Sequence, residues 1–357
     1  MKTSRVYVIA EAGVNHNGSL DRAIQLVDAA VDAGADAVKF QTFRADRLVS
    51  AEAPKAEYQL STTSASESQL SMLEKLELGN DDHRKIANYC NQEGVQFLST
   101  PYDVESLNFL LEAFELPYVK VASADVTNAH LLWYAAHSKT PILLSTGMST
   151  LGEIEDALSV LAHGYISDSP PESLLECRKS YSVLEGRTAL QENVQLLHCT
   201  TEYPAPLDSV HLRAMDTLRK AFDLPVGYSD HTEGITVATG AVARGATVIE
   251  KHYTLDRSLP GPDHSASLEP GELRSMVTAI RAIEDALGST RKTPNVPEWN
   301  NQKAMRRSLV ADQLISAGDT LTQDNITARR PGNGISPICY WDKCGTEAQR
   351  DYQPGDI

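Results

Sequence analysis

Eight short apolar runs punctuate the chain, and each stops at a polar residue able to do chemistry. VYVIAE ends at Glu11, AVKFQ carries Lys39 and Gln41, QFLST ends at Thr100, and YVKVAS carries Lys120 and Ser123. PILLS ends at Ser145, VQLLHCTTEY at Tyr203, PVGYSDH at Ser229 and His231, and VIEKH at His252. Amphipathic segments separate them. In residues 21–34, Ala23, Ile24, Val27, Ala30 and Val31 form one helical stripe, and Gly34 suits a C-terminal stop. Similar stripes occupy 82–94, 104–114, 128–138, 151–164, 210–222, 235–245 and 270–287. Strands that are apolar throughout are buried on both faces, as in a parallel sheet. A doubly wound open sheet would gather ligand residues at one switch point. Polar residues at every strand end indicate a (β/α)8 TIM barrel, whose active site lies where the strands end.

A chain of 357 residues holds one barrel of about 250 residues and a small further domain. The barrel is placed at 1–287, a linker at 288–300 and a small β-rich domain at 301–357. In the last part, AGDTLTQDNI and PGDI echo one another as a turn-and-strand unit. Two connections inside the barrel are long. Residues 44–78 follow the second strand and are polar and Ser/Thr-rich, a candidate lid or substrate loop. Residues 165–192 contain Pro170-Pro171 and enter a strand from the opposite face, as a functional insertion or as tolerated padding.

A net charge of −16 argues against a nucleic-acid or anionic-membrane surface. It does not exclude an anionic small substrate in a locally basic site. Five scattered cysteines without CxxC spacing read as reduced thiols of a cytoplasmic protein. No apolar run approaches the roughly 20 residues of a membrane span, and the first strand begins too early for a signal peptide.

At the strand ends, His231 and His252 lie on neighbouring strands. The pair suits a divalent metal with open positions for substrate and water, or acts structurally or in acid/base work. Asp125 is placed to add an oxygen ligand or a supporting bond. Lys39 and Lys120 point inward, and buried ammonium groups require an anionic partner. With Ser123, Ser145 and Ser229 they form a phosphate or carboxylate cradle. Glu11 can orient hydroxyls or move protons. Asp263, in LPGPDHSAS, either binds a polyol or forms a turn.

AEAGVNHNGS, AVKFQTF, FLSTPY, LLSTGMS, GYSDHT, EKHYTLDRSLPGPDHSAS and ARRPGNGI, in this order, resemble the sialic acid (nonulosonate) synthase family over nearly the whole chain. The C-terminal part resembles the antifreeze-like (SAF) domain of these synthases. The resemblance implies condensation of phosphoenolpyruvate with an open-chain 2-acetamido-2-deoxy hexose, giving a 2-keto sugar acid and phosphate. It implies a divalent metal, Mn2+ before Mg2+ or Co2+, on His231 and His252. It assigns Lys39, Thr100, Lys120, Ser123, Ser145, Thr201 and Ser229 to phosphoenolpyruvate, and Glu11, Gln41, Tyr203 and Asp263 to the sugar. Arg330 would reach the partner's site in a domain-swapped homodimer, in keeping with a β unit too small for a large core.

Thr201 stands where some members have Asn, Asp125 where some have Glu, and Met305-Arg306 where some carry an aromatic residue. Family members use N-acetylmannosamine, its 6-phosphate, or the diacetamido trideoxy hexoses that lead to legionaminic and pseudaminic acids. The segments APKAEYQ and ESQLSMLEKLEL resemble bacterial synthases of the legionaminate and N-acetylneuraminate type more than the pseudaminate type; of the two, N-acetylneuraminate is placed first and legionaminate close behind. Three rivals stand beside this reading: another metal-dependent 2-keto-3-deoxy sugar acid synthase, a non-catalytic sugar or ice binder, and a Schiff-base aldolase using Lys120 or Lys39.

Overall fold

The computed structural model describes residues 5–56, 59–60, 63 and 67–356. Two compact units result, Met1–Gly288 and Ser289–Ile357. The first contains eight parallel strands: β1 (Tyr7–Gly13), β2 (Ala37–Thr42), β3 (Gln96–Pro101), β4 (Val119–Val121), β5 (Ile142–Ser145), β6 (Val194–His198), β7 (Val226–Asp230) and β8 (Val248–His252). The ladder runs β3-β2-β1-β8-β7-β6-β5-β4, and its end strands β3 and β4 lie against each other. The sheet is therefore a nearly closed barrel wrapped in helices.

Two apolar layers hold it. Ile9, Ala37, Leu98, Leu143, Leu197 and Val248 fill the interior. A larger cluster, including Val8, Val38, Leu107, Leu144 and Leu161, packs the outer strand faces against the helices. Strand alternation sorts the polar residues in the same way. On β8, Val248 belongs to the interior and Ile249 to the outer layer. Lys251 faces outward too, fully buried, with Nζ 2.9 Å from Asp230 Oδ2 and bonded to the Thr232 carbonyl.

The first barrel helix shows how local chemistry sets boundaries. It spans Leu20–Ala33. Ser19 accepts a hydrogen bond from the Arg22 amide at its start, and Gly34 ends it at φ 80°. Elsewhere the sequence overextends strands. β6 stops at His198, so Tyr203 belongs to the following loop, and Ser123–Asp125 form a 3-10 turn beyond β4. Residues 165–192 carry two helices, Leu174–Ser182 and Leu184–Asn193. Each is short and mostly exposed, so neither has a long apolar stripe, but Cys177 and Leu190 join the main core. In the 44–78 segment, a turn at Ala45–Leu48 and a helix at Gln69–Glu74 are described. Residues 57–58, 61–62 and 64–66, including part of APKAEYQ, lie outside the described residues.

In the second unit a helix, Val296–Met305, crosses the expected linker–domain boundary. Asn295 and Glu298 form its capping box. Strands β9 (Ser308–Ala311) and β10 (Ile326–Arg329) pair antiparallel over Ala311, Ile315, Ile326 and Ala348. Just before each echoed sequence unit, Ile315 is bridged to Tyr352. Arg330 follows β10 directly.

Candidate active site

A cavity of about 310 Å³ opens at the C-terminal ends of the barrel strands. Every predicted barrel residue except Asp125 lines it. Its floor is an ion-pair network. Lys39 Nζ lies 2.6 Å from Glu11 Oε2 and 3.6 Å from Glu250 Oε2, and donates to Thr100 Oγ1 at 2.9 Å. Lys120 Nζ lies 3.7 Å from Glu250 Oε1 and donates to its neighbour's carbonyl at Val121, 3.3 Å away. Ser229 Oγ donates to Glu250 Oε1 at 2.8 Å. The anionic partners that the buried lysines require are thus supplied in part by the chain itself.

Glu250 escaped the sequence reading, which stopped at the last polar residue of VIEKH. The signal was present: Glu250 lies two residues before His252, on the same strand face. Burial alone would raise its carboxyl, but Lys120, Lys39 and the Ser229 hydroxyl hold it down to about 2. Glu11 behaves oppositely. Burial pushes it up to about 7, although Lys39 pulls the other way. A carboxyl poised near neutrality suits proton transfer. The lysines also differ: burial lowers both, and for Lys39 the two glutamates outweigh it, whereas Lys120 stays below its ordinary value.

Beside the floor stand the imidazoles of His231 and His252, with ring centroids 5.7 Å apart. Tyr203 covers them, 4.1 Å from His231 and edge-on to His252 at 5.7 Å. Burial pulls His231 down to about 4 and His252 well below its ordinary value, so both are neutral at pH 7. His231 Nδ1 bonds to the Thr200 carbonyl at 2.6 Å. That bond fixes the proton on Nδ1 and leaves Nε2 as a lone-pair donor. Among the described residues, His252 Nδ1 is buried without a hydrogen-bond partner, and Asp263 Oδ2 is 4.0 Å from it. Burial raises the Asp263 carboxyl to about 6. Neutral nitrogen donors beside a carboxylate fit a borderline divalent cation. Among the described residues, no cluster of three or more His, Cys, Asp or Glu forms a closed metal site. Two protein nitrogens would leave the remaining positions to water and substrate oxygen.

Hydroxyls complete the cradle. Ser145 Oγ is buried with no hydrogen-bond partner among the described residues, as expected of a group that meets a ligand. Ser123 Oγ accepts from the Gly147 amide at 3.0 Å and contacts Cys199 Sγ at 3.1 Å. A Cβ on Gly147 would come within 2.3 Å of Thr201 Oγ1 and 2.9 Å of Ser123 Oγ, so only glycine allows this close approach. Gln41 Nε2 reaches Glu11 Oε1 at 3.5 Å. Asp125 is buried in the turn after β4, where it accepts from Asn128 at 3.0 Å. Arg330 belongs to the second unit.

The VNHNG segment has a structural task. Asn15 Nδ2 donates to the Tyr253 carbonyl at 2.7 Å and to Ser267 Oγ at 2.9 Å. Ser267 Oγ donates to the Asp263 carbonyl at 2.6 Å, and Asn17 Nδ2 to the Pro260 carbonyl at 2.7 Å. These bonds stitch the loop after β8 to the loop after β1 and hold Asp263 near His252. The whole arrangement can bind a polyanion on ammonium and hydroxyl groups and present neutral imidazoles to a polar substrate.

The NeuB family model matches residues 26–292 and the SAF domain model residues 306–357. The N,N'-diacetyllegionaminic acid synthase of Campylobacter jejuni is 45% identical over 353 residues, covering 99% of this chain and 98% of that protein. The enzyme of the same name from Legionella pneumophila is 42% identical, covering 93% of this chain and 87% of that one. The N-acetylneuraminic acid synthetase structure from Leptospira borgpetersenii superposes with a TM-score of 0.68 at 33% identity, covering 84% of this chain and 90% of that one. The chain belongs to the NeuB family and carries a SAF domain at its C-terminal end.

Proposed function

We propose that the protein condenses phosphoenolpyruvate with 2,4-diacetamido-2,4,6-trideoxymannose to give N,N'-diacetyllegionaminic acid and phosphate. The observation that carries the reaction is the joining, in one cavity, of the Lys39–Glu250–Lys120 floor and the paired neutral imidazoles. The two relatives above 40% identity favour the legionaminate sugar. The sequence alone ranks N-acetylmannosamine first, and this ranking is reversed here.

Lys39, Lys120, Ser123, Ser145 and Ser229 hold the phosphate and carboxylate of phosphoenolpyruvate, with Thr100 fixing Lys39 and Thr201 closing the cradle. Gln41, Tyr203 and Asp263 orient the open-chain sugar. The enol carbon attacks the aldehyde carbon, forming the C–C bond, and the aldehyde oxygen takes a proton. Water adds to the resulting cationic C2 and gives up its proton. The C2–O bond to phosphate then breaks as the keto group forms. Glu11, poised near neutrality, moves these protons. His231 and His252 would hold a divalent ion, Mn2+ first, which would supply Lewis acidity to a carbonyl group. The active form is a cytoplasmic homodimer in which Arg330 reaches the partner's sugar site.

A phosphate-release assay with phosphoenolpyruvate, Mn2+ and a panel of amino sugars tests the reading. Release that depends on both the sugar and the metal is expected. No release with any sugar refutes the reaction, and full activity in chelator refutes the metal.

A further inference from the structure

The catalytic cavity has two surfaces of opposite chemistry. Its floor is charged, but its side toward the segment after β2 is apolar: Leu48, Val49, Met72, Leu73 and Leu76 line it. Met72 and Leu76 pack with Val14 and Phe43 into an apolar cluster separate from both barrel layers. Apolar residues there are not needed to fill the barrel, so this wall calls for its own explanation. Two amides stand with it, Gln59 and Gln69. Gln59 Oε1 already accepts from the Ala56 amide at 3.0 Å and from Gln69 Nε2 at 3.4 Å. The Gln59 side-chain amide nitrogen carries donors of the kind a ligand carbonyl can accept from. Lys39 and Lys120, both on the floor, are the cationic side chains of the lining among the described residues.

We propose that this wall selects the sugar, by accepting a C6 methyl and a 4-acetamido group and rejecting a C6 hydroxyl or phosphate. The proposal rests on the synthase reading above, in which the floor and the histidines take phosphoenolpyruvate and the aldehyde carbon. The far end of the sugar then meets the wall. A methyl group gains by leaving water against leucine and methionine. A hydroxyl in the same place loses its water without a replacement bond, and a phosphate dianion loses far more. The acetamido group divides along the same line, with its methyl on the apolar side chains and its carbonyl toward Gln59.

Full-length protein with phosphoenolpyruvate and Mn2+ is assayed for phosphate release with three sugars: 2,4-diacetamido-2,4,6-trideoxymannose, N-acetylmannosamine and N-acetylmannosamine 6-phosphate. The wild type is expected to favour the first by at least about tenfold in kcat/KM over either other sugar. Leu73→Ser and Leu48→Ser, on separate parts of the segment, should each cut that preference severalfold, with KM for phosphoenolpyruvate held. A wild type that prefers N-acetylmannosamine overturns the wall. So do substitutions that lower kcat/KM for both sugars equally, as a purely structural role would. Release without discrimination refutes the wall alone, whereas no release with any sugar refutes the synthase reading and the wall together.

Discussion

Glu250→Gln keeps the shape of the side chain and removes one negative charge from the floor. Lys39 and Lys120 stand 3.6 and 3.7 Å from that carboxylate. At an effective dielectric constant of about 20, each contact carries roughly 4–5 kcal/mol of Coulomb attraction. The measured cost of removing one partner from a buried ion pair is about 3–5 kcal/mol. Lys39 retains Glu11 at 2.6 Å, and Lys120, already lowered by burial, can shed its proton. Both place the cost toward the lower end, about 3 kcal/mol. The barrel unit runs from Met1 to Gly288, and at about 2.1 cal/mol/K of unfolding entropy per residue that cost is roughly 5 °C in Tm. Phosphoenolpyruvate should then stabilise Glu250→Gln more than the wild type, because its charge replaces the missing one. Thermal melts with and without phosphoenolpyruvate check both effects. A Tm within about 2 °C of wild type, or equal ligand-induced shifts, would refute Glu250 as the counter-charge of the two lysines.

Three other perturbations follow from the same geometry. His231→Ala and His252→Ala should each abolish metal-dependent phosphate release and weaken Mn2+ binding by electron paramagnetic resonance; undiminished binding in either would dismiss that residue as a ligand. Burial holds His264 down to about 4 from an ordinary 6.5. The unfolded chain therefore takes up that proton first, and stability from this residue is full above about pH 6.5 and lost as pH falls toward 4. Accordingly, the Tm advantage of wild type over His264→Gln should shrink between pH 7 and pH 5, and a constant gap would contradict the assignment. In the proposed homodimer, Arg330→Ala should leave the mass in light scattering at the wild-type value but lower turnover by more than about tenfold; unchanged turnover would remove Arg330 from the site.

The barrel was legible in the sequence because its period is carried by burial. Strands covered on both faces must be apolar throughout, and a polar residue at the end of such a run marks the mouth. The same rule misled at β6, where the apolar run VQLLH continues into CTTEY without a break signal, so Tyr203 was read as strand rather than loop. Glu250 was hidden because it sits inside an apolar run rather than at its end, and only alternation reveals which way it faces. The helices within 165–192 were hidden because each buries a single strong anchor, Cys177 or Leu190. The apolar wall was unreadable because Val14, Phe43, Met72 and Leu76 are far apart in sequence and meet only through folding.

The fate of the bridging oxygen of phosphoenolpyruvate discriminates most sharply. With that oxygen labelled as oxygen-18 and a diacetamido trideoxy hexose supplied, the label should leave entirely in inorganic phosphate, alongside a nine-carbon 2-keto acid. Unlabelled phosphate would mean P–O rather than C–O cleavage. That result, or a failure to form the 2-keto acid, would contradict the reaction assigned to this site.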